Sequence, residues 1–205
     1  MNKFIVFEGI DGSGKSTQID LIVKKLIKDG INHTLLREPG TTKTSEKIRE
    51  ILLDSKNDIS NLTETLLFLA ARAQLVREIL EPNLKSNKFI ICDRYCDSTL
   101  AYQGYGKGVD IAAIKMLNSL VTKGITPILS IVIDVSYDIS IRRREIPKDR
   151  MELNSKDFFD RIRAGYKRIV KSNPKTHIMV NGDNHPLEIS KIIWQEIKIR
   201  CIDAK

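Results

Sequence analysis

The stretch Gly9-Ile10-Asp11-Gly12-Ser13-Gly14-Lys15-Ser16-Thr17 constrains the fold of this chain more than any other. It follows the apolar run Phe4-Ile5-Val6-Phe7, which has the length of a strand, and it opens a helical pattern from Gln18 to Lys28. Gly9, Gly12 and Gly14 permit backbone conformations closed to other residues, so that successive N–H groups and the positive end of the helix converge on a polyphosphate. Ser13 and Thr17 belong to the same cradle. Lys15 would reach the β- and γ-phosphates, and Ser16 would ligate Mg²⁺. The complete G-x-x-x-x-G-K-S pattern between a strand and a helix implies a bound nucleoside triphosphate. It does not say what becomes of it, because switches, nucleic-acid-dependent ATPases and small-molecule kinases share the loop.

A chain of 205 residues with 41% apolar content supports one substantial core, and a single domain over 1–205 is expected. The net charge of +8 is spread along the whole length, with no basic arm and few interleaved aromatics, so nucleic acid is not the expected partner. Two anionic substrates suit the same surplus. No apolar segment approaches the ~20 residues that span a bilayer. Met1-Asn2-Lys3 runs directly into the first strand with no leader pattern, and a cytoplasmic protein is expected. Cys92, Cys96 and Cys201 lack C-x-x-C spacing and His33, His177 and His185 are scattered, which indicates neither a disulfide framework nor a zinc site.

Short apolar runs at Phe4–Phe7, Thr34–Leu36, Phe89–Cys92, Ile128–Ile133 and His177–Val180 suit strands covered on both faces, and helical patterns separate them. That alternation predicts a three-layer α/β/α fold with a central parallel sheet of about five strands and ligands at the carboxyl ends of the strands. Three such ends carry unusual polar residues: Glu8 to Lys15, Arg37-Glu38-Pro39-Gly40 and Asp93-Arg94-Tyr95. The basic, proline-interrupted stretch over about 142–154 reads as a mobile loop. It carries Arg142, Arg143, Arg144, Lys148 and Arg150, either a solvated charge run or a lid that delivers cations to a transferring phosphoryl group.

Asp93 directly follows a buried-strand pattern, the place from which a carboxylate approaches Mg²⁺ through its water shell, and Arg94 is next to it. On the pattern from Leu62 to Glu81, Phe68 and Arg72 fall four residues apart on one face. This is either a core Phe beside a surface Arg or an aromatic and a guanidinium facing one ligand. The apolar neighbours Leu67, Leu69, Ala70, Ala71 and Ala73 make a poor solvated setting for that charge. Ser98-Thr99-Leu100-Ala101-Tyr102-Gln103-Gly104 adds hydroxyls, an amide and a phenol, although such a run also starts ordinary short helices.

Taken together, the loop with Asp11 in its third position, Arg37-Glu38-Pro39-Gly40, Leu67-Phe68-Leu69-Ala70-Ala71-Arg72-Ala73-Gln74, Asp93-Arg94-Tyr95 with Ser98 and Tyr102-Gln103-Gly104, and Asp149-Arg150 resemble thymidylate kinases over essentially the whole chain. The resemblance implies a P-loop NTPase-type fold, dimerisation and transfer of the ATP γ-phosphoryl group to dTMP with Mg²⁺. It implies that Phe68 stacks on thymine, that Arg72 donates to O4, and that Tyr102 lies against the deoxyribose. Asp11 would accept from the 3′-hydroxyl, Thr99 and Gln103 would be base-side residues, and Arg37 and Arg94 would hold the dTMP phosphate. Lys15, Arg94 and the arginines at 142, 143, 144 and 150 would be the catalytic cations, with Ser16 and Asp93 toward the metal.

Two departures stand out. Family members commonly read Glu-Pro-Gly-Gly-Thr where this chain has Glu38-Pro39-Gly40-Thr41-Thr42. The loop's fourth position is Gly12 rather than Arg, which resembles the bacterial subgroup whose catalytic arginine comes from the lid. The rival readings are a kinase of another nucleoside monophosphate and a P-loop ATPase or switch, the latter lacking a second nucleotide pocket. Lys47 to Leu53 and Leu66 to Ile79 carry more apolar residues than one buried face needs, in keeping with a dimer.

Overall fold

The computed structural model describes residues 3–86, 88–144, 150–151 and 154–203. Five strands, β1 (Phe4–Glu8), β2 (His33–Arg37), β3 (Phe89–Asp93), β4 (Leu129–Asp134) and β5 (His177–Asn181), form one sheet in the order β2-β3-β1-β4-β5. Every pairing is parallel, as the crossover helices require. All five expected strands are found, within one or two residues of their expected ends. The chain reverses direction across the sheet at β1, so the carboxyl ends of β1 and β3 open onto a crevice at that switch point.

Alternate residues of the central strands face opposite layers. Ile5, Phe7, Ile91 and Ile131 pack under α1 (Lys15–Lys28) and α9 (Pro186–Ile197), the latter continued by a π turn at Lys198–Ile202. Phe4, Val6, Ile90 and Cys92 face the other way, against Leu75, Val76 and Leu80 of the long helix that begins as α3 (Asn61–Leu75). That helix widens into a π turn at Val76–Leu80 before continuing as α4 (Glu81–Lys85), where Pro82 supplies no N–H to the ladder. A third apolar cluster joins Val132 to α8 (Lys156–Ser172) and to the segment after β3, which coils as α5 (Cys96–Thr99) and a π turn at Leu100–Gly106.

Helix starts follow the local sequence. Thr42, Ser60, Asp110, Ser136 and Ser155 each accept an otherwise unpaired N–H at the first turn of α2 (Lys43–Leu53), α3, α6 (Ile111–Thr122), α7 (Tyr137–Arg143) and α8 respectively. The basic stretch expected to be loop from residue 142 instead begins as helix. Arg142 and Arg143 complete the last turn of α7, where cations complement the negative end of the helix. Lys148 and Asp149 lie outside the described residues. Among the described residues no helix is long and apolar enough to cross a membrane.

Candidate active site

The glycine-rich loop between β1 and α1 makes one wall of a cleft that is also lined by Asp93, Arg94, Arg37 and Arg143. Lys15 is buried at its base, and its Nζ donates to the carbonyls of Gly9 and Ile10 at 3.1 Å each. Burial, and then the Arg94 charge, lower the pKa of this ammonium, against the opposing pull of the Asp93, Asp11 and Glu8 carboxylates. Ser16 and Thr17 are exposed at the head of α1 and line the cleft, whereas Ser13 is buried with its Oγ unpartnered among the described residues.

Gly12 explains how α7 reaches this loop. Its φ is +75°, and a Cβ there would stand 2.5 Å from the Ser140 carbonyl oxygen and 3.2 Å from Arg144 Cγ. Ser140 Oγ donates to the Asp11 carbonyl at 2.7 Å, so the end of α7 is seated directly on the loop. A side chain at position 12 would push away the arginines that follow. Of the four arginines of the basic stretch expected to be catalytic, Arg143 lines the cleft and donates to Gly182 O at 2.9 Å and, at 3.5 Å, to Ser13 O. Arg144 lies over the Phe159 ring at 5.0 Å, and its three guanidinium nitrogens are buried without a hydrogen-bond partner among the described residues. Arg142 instead points outward, donating to Asp138 O at 3.3 Å. Arg150 is held away from the cleft by an ion pair to Glu64 at 2.5 Å.

Arg94 joins the phosphate cleft to a second cavity. It follows β3 with φ at +70°, a conformation uncommon for a side-chain-bearing residue and concentrated at functional sites. Arg94 donates to Gly9 O at 2.9 Å and to Asp11 Oδ1 at 2.6 Å, and its guanidinium lies over the Tyr102 ring at 5.1 Å. Tyr102 in turn donates to Asp11 Oδ2 at 3.0 Å. Burial alone would raise the pKa of Asp11, but Arg94, Lys15 and the Tyr102 hydroxyl outweigh it and hold the carboxyl well below the usual range. Underneath lies Glu8, marked in the sequence only as the start of a polar strand end and given no role. It accepts the Tyr95 N–H at 2.8 Å, the Ser98 hydroxyl at 2.6 Å and the Tyr166 hydroxyl at 3.0 Å, and so ties the residues that follow the strained turn to α8. Burial, then Asp97, lift its pKa to about 7.

The second cavity shares Asp11, Glu38, Arg49 and Arg94 with the first and adds Phe68, Arg72, Thr99, Tyr102 and Gln103. Phe68 and Arg72 do face one space, as their spacing allowed. Arg72 differs from the expected free donor: Nε and Nη2 engage Glu38 Oε2 at 2.7 and 2.6 Å, Nη2 donates to Tyr95 O at 2.9 Å, and Nη1 donates to Thr99 Oγ1 and Asn118 Oδ1 at 2.9 and 2.6 Å. Five contacts leave no idle N–H, so a ligand acceptor here shares or exchanges one of them. Glu38 has the matching surplus. Its Oε1 is buried without a partner among the described residues, and burial raises its pKa despite Arg72. Arg37 stands at the cleft edge, 2.8 Å from Glu46. Arg49, Met151 and Glu38 are wall residues that sequence reading left without a role. Arg49 could have been found from its place three residues after Glu46 on α2, on the side of Arg37.

Thr41 answers the first sequence departure. It adopts φ of +74°, where the common glycine would be at ease. Its hydroxyl compensates by accepting the Arg37 N–H and donating to the Arg37 carbonyl, both at 2.9 Å. The backbone path after Gly40 is thus held by hydrogen bonds.

Residues 7–193 match the family model described as thymidylate kinase. The thymidylate kinase of Kosmotoga olearia is 45% identical over 197 residues, covering 95% of this chain and 93% of that protein. The thymidylate kinase of Caldanaerobacter subterraneus subsp. tengcongensis is 42% identical over 99% of this chain and 98% of its own length. The crystal structure of thymidylate kinase from Ehrlichia chaffeensis superposes with a TM-score of 0.80 at 35% identity, covering 96% of this chain and 98% of that one. The chain belongs to the thymidylate kinase family. In a family of ATP:dTMP phosphotransferases, two cavities that share Arg94 and Asp11 have a ready reading: one for each nucleotide.

Proposed function

We infer that this chain transfers the γ-phosphoryl group of ATP to dTMP, with ATP in the loop cleft and dTMP in the Phe68 cavity. The observation that carries the assignment is the shared wall of Arg94 and Asp11, which brings a donor site and an acceptor site into one crevice. A P-loop ATPase or switch has no use for the second cavity.

In the acceptor pocket Phe68 stacks on thymine, and Arg72 serves O4 by sharing an Nη1 N–H with the Thr99 hydroxyl. Gln103 completes the base side. Tyr102 packs against the deoxyribose and disfavours a 2′-hydroxyl, while Asp11 accepts from the 3′-hydroxyl. Arg94 and Arg37 hold the acceptor phosphate. Cytosine offers an amino donor where thymine offers O4, so Arg72 would meet a donor with a donor.

The attacking phosphate oxygen is already ionised and needs no general base. Catalysis then reduces to alignment and charge neutralisation. Lys15, Arg94, Arg143 and Arg144 supply the fixed cations. Asp93 Oδ1 is buried without a partner among the described residues, and it lines the same cleft as Ser16. One carboxylate and one hydroxyl fit a hydrated Mg²⁺ whose other ligands are water and phosphate, a cation that offsets phosphate charge. No cluster of three or more His, Cys, Asp or Glu offers a metal cage among the described residues.

Dimerisation is supported by an apolar face that crosses α2, α3 and α6, which pack side by side. Ile51, Leu62, Leu66, Met116 and Leu120 stand 47–72% exposed on it. A single domain, a lid beginning near residue 142 and a cytoplasmic location complete the reading.

The decisive experiment is a nucleoside monophosphate panel with ATP and Mg²⁺. dTMP is expected to be the best acceptor and dUMP weaker, since the missing methyl is worth about 1–3 kcal/mol, with dCMP and purine monophosphates poor. Comparable turnover of dCMP and dTMP would remove Arg72 from base recognition.

A further inference from the structure

We propose that Glu64 is a positioning residue for the acceptor pocket, holding Gln103 on its base side and the Arg150-Met151 pair at its wall. The proposal rests on the kinase reading of that pocket. Glu64 lies in the first turn of α3, four residues before Phe68, and its side chain is wholly withdrawn from solvent. A carboxylate so placed is tolerated only with charged or hydrogen-bonding partners around it.

Its partners come from distant parts of the chain. Gln103 Nε2 donates to Oε1 at 2.9 Å, while Lys107 Nζ and Arg150 Nη2 stand 2.7 and 2.5 Å from Oε2. Gln103 lies in the π turn that carries Tyr102, and Lys107 closes that turn. Arg150 is further seated on the end of α2, its backbone N–H donating to Leu53 O at 3.2 Å and its Nε to Leu52 O at 3.0 Å. The next residue, Met151, is buried and lines the acceptor cavity together with Leu53, Phe68 and Gln103. One carboxylate on α3 therefore ties the Gln103 wall and the Met151 wall of the pocket to the helix that carries Phe68. None of its three partners lines the triphosphate cleft. Arg150 consequently acts through Glu64 on acceptor binding and not on the phosphoryl group.

Glu64→Gln and Arg150→Met are to be compared with wild type for the KM of each nucleotide, kcat and thermal midpoint. Arg150→Met leaves Glu64 paired with Lys107, so it serves where Glu64→Gln fails to fold. The acceptor KM is expected to rise by about tenfold in either variant, with the ATP KM within about twofold of wild type. Arg150→Lys keeps a charge in reach of Glu64 and is expected to recover most of the acceptor KM, which a side chain that merely fills space would not. An acceptor KM unchanged in folded Arg150→Met overturns the proposal. So does a loss confined to kcat with both KM values kept, which would return Arg150 to the reacting phosphate. If wild type prefers another monophosphate, the dTMP reading falls and the KM comparison is made on that acceptor; if it transfers to none, both fall.

Discussion

Arg94 Nη2 lies 2.6 Å from Asp11 Oδ1, and this contact joins the phosphate loop to the strand end that faces the acceptor. The pair is at the seam of the two cavities, so its removal should affect both. Asp11→Asn is expected to lower kcat and raise the dTMP KM together. It should also cost stability at neutral pH, because Arg94 then stays buried without its counter-charge. The sign with pH follows from the depressed carboxyl. Its contribution is complete above the unfolded value of about 4 and is lost as pH falls toward the folded one. Denaturant titrations of wild type and Asp11→Asn should therefore differ by a constant amount from neutrality down to mild acid, and converge below it. A gap that widens on acidification would contradict the assigned ion pair.

Glu8 predicts the opposite slope. Its folded pKa, near 7, lies above the unfolded value of about 4.3, so the native state holds a proton that the unfolded chain has released. Its stabilising effect is present below the unfolded value and declines as pH rises through the folded one. Glu8→Gln removes that titration while keeping an acceptor for the Tyr95 N–H. The fall in stability between mildly acidic and neutral pH should be shallower in Glu8→Gln than in wild type. Identical pH profiles would mean that Glu8 stays ionised throughout.

The contrast between these two carboxylates shows what was legible in the sequence. The strands, the loop and the pairing of Phe68 with Arg72 were readable because each is a local pattern: apolar run length, glycine spacing, four residues on a helix. Glu8 and Glu64 were not, since Tyr166, Gln103 and Arg150 lie far along the chain and no periodicity announces a contact across folded layers. The basic stretch was legible as a group but not in its parts. Only the fold reveals that Arg142 faces outward, that Arg143 turns to the cleft and that Arg150 is held by α3. Arg72 lines the same cavity as Phe68, yet its five contacts depend on Glu38, Tyr95, Thr99 and Asn118, which only tertiary packing brings together.

Thr41 separates strain from hydrogen bonding. Its left-handed conformation carries a cost of order 1 kcal/mol, offset by the two bonds its hydroxyl makes with the Arg37 backbone. Thr41→Ala keeps the strain and loses both bonds, so it should destabilise by about 1–2 kcal/mol. Thr41→Gly loses the bonds and the strain together, and should stay within about 0.5 kcal/mol of wild type at most conditions. Chemical denaturation of the two variants measures the difference directly. Equal losses in both would mean that the backbone at Thr41 is unstrained.

The arginines near α7 divide by environment, and their alanine variants should divide with them. Arg144 presents three buried nitrogens without hydrogen-bond partners among the described residues, an expensive arrangement that an incoming phosphoryl charge would relieve. Arg144→Ala is therefore expected to leave folding stability equal or higher while single-turnover transfer falls sharply, toward the factor of about 10³ that arginine fingers reach in related chemistry. Arg143 lines the cleft before any reaction, and Arg143→Ala should raise the ATP KM more than it lowers kcat. Arg142, exposed and turned to its own helix, serves as the control: Arg142→Ala should be within about twofold of wild type in every constant. If Arg144→Ala transferred at the wild-type rate, the end of α7 would have no part in the chemical step, and Lys15, Arg94 and Arg143 would remain as the protein's cations there.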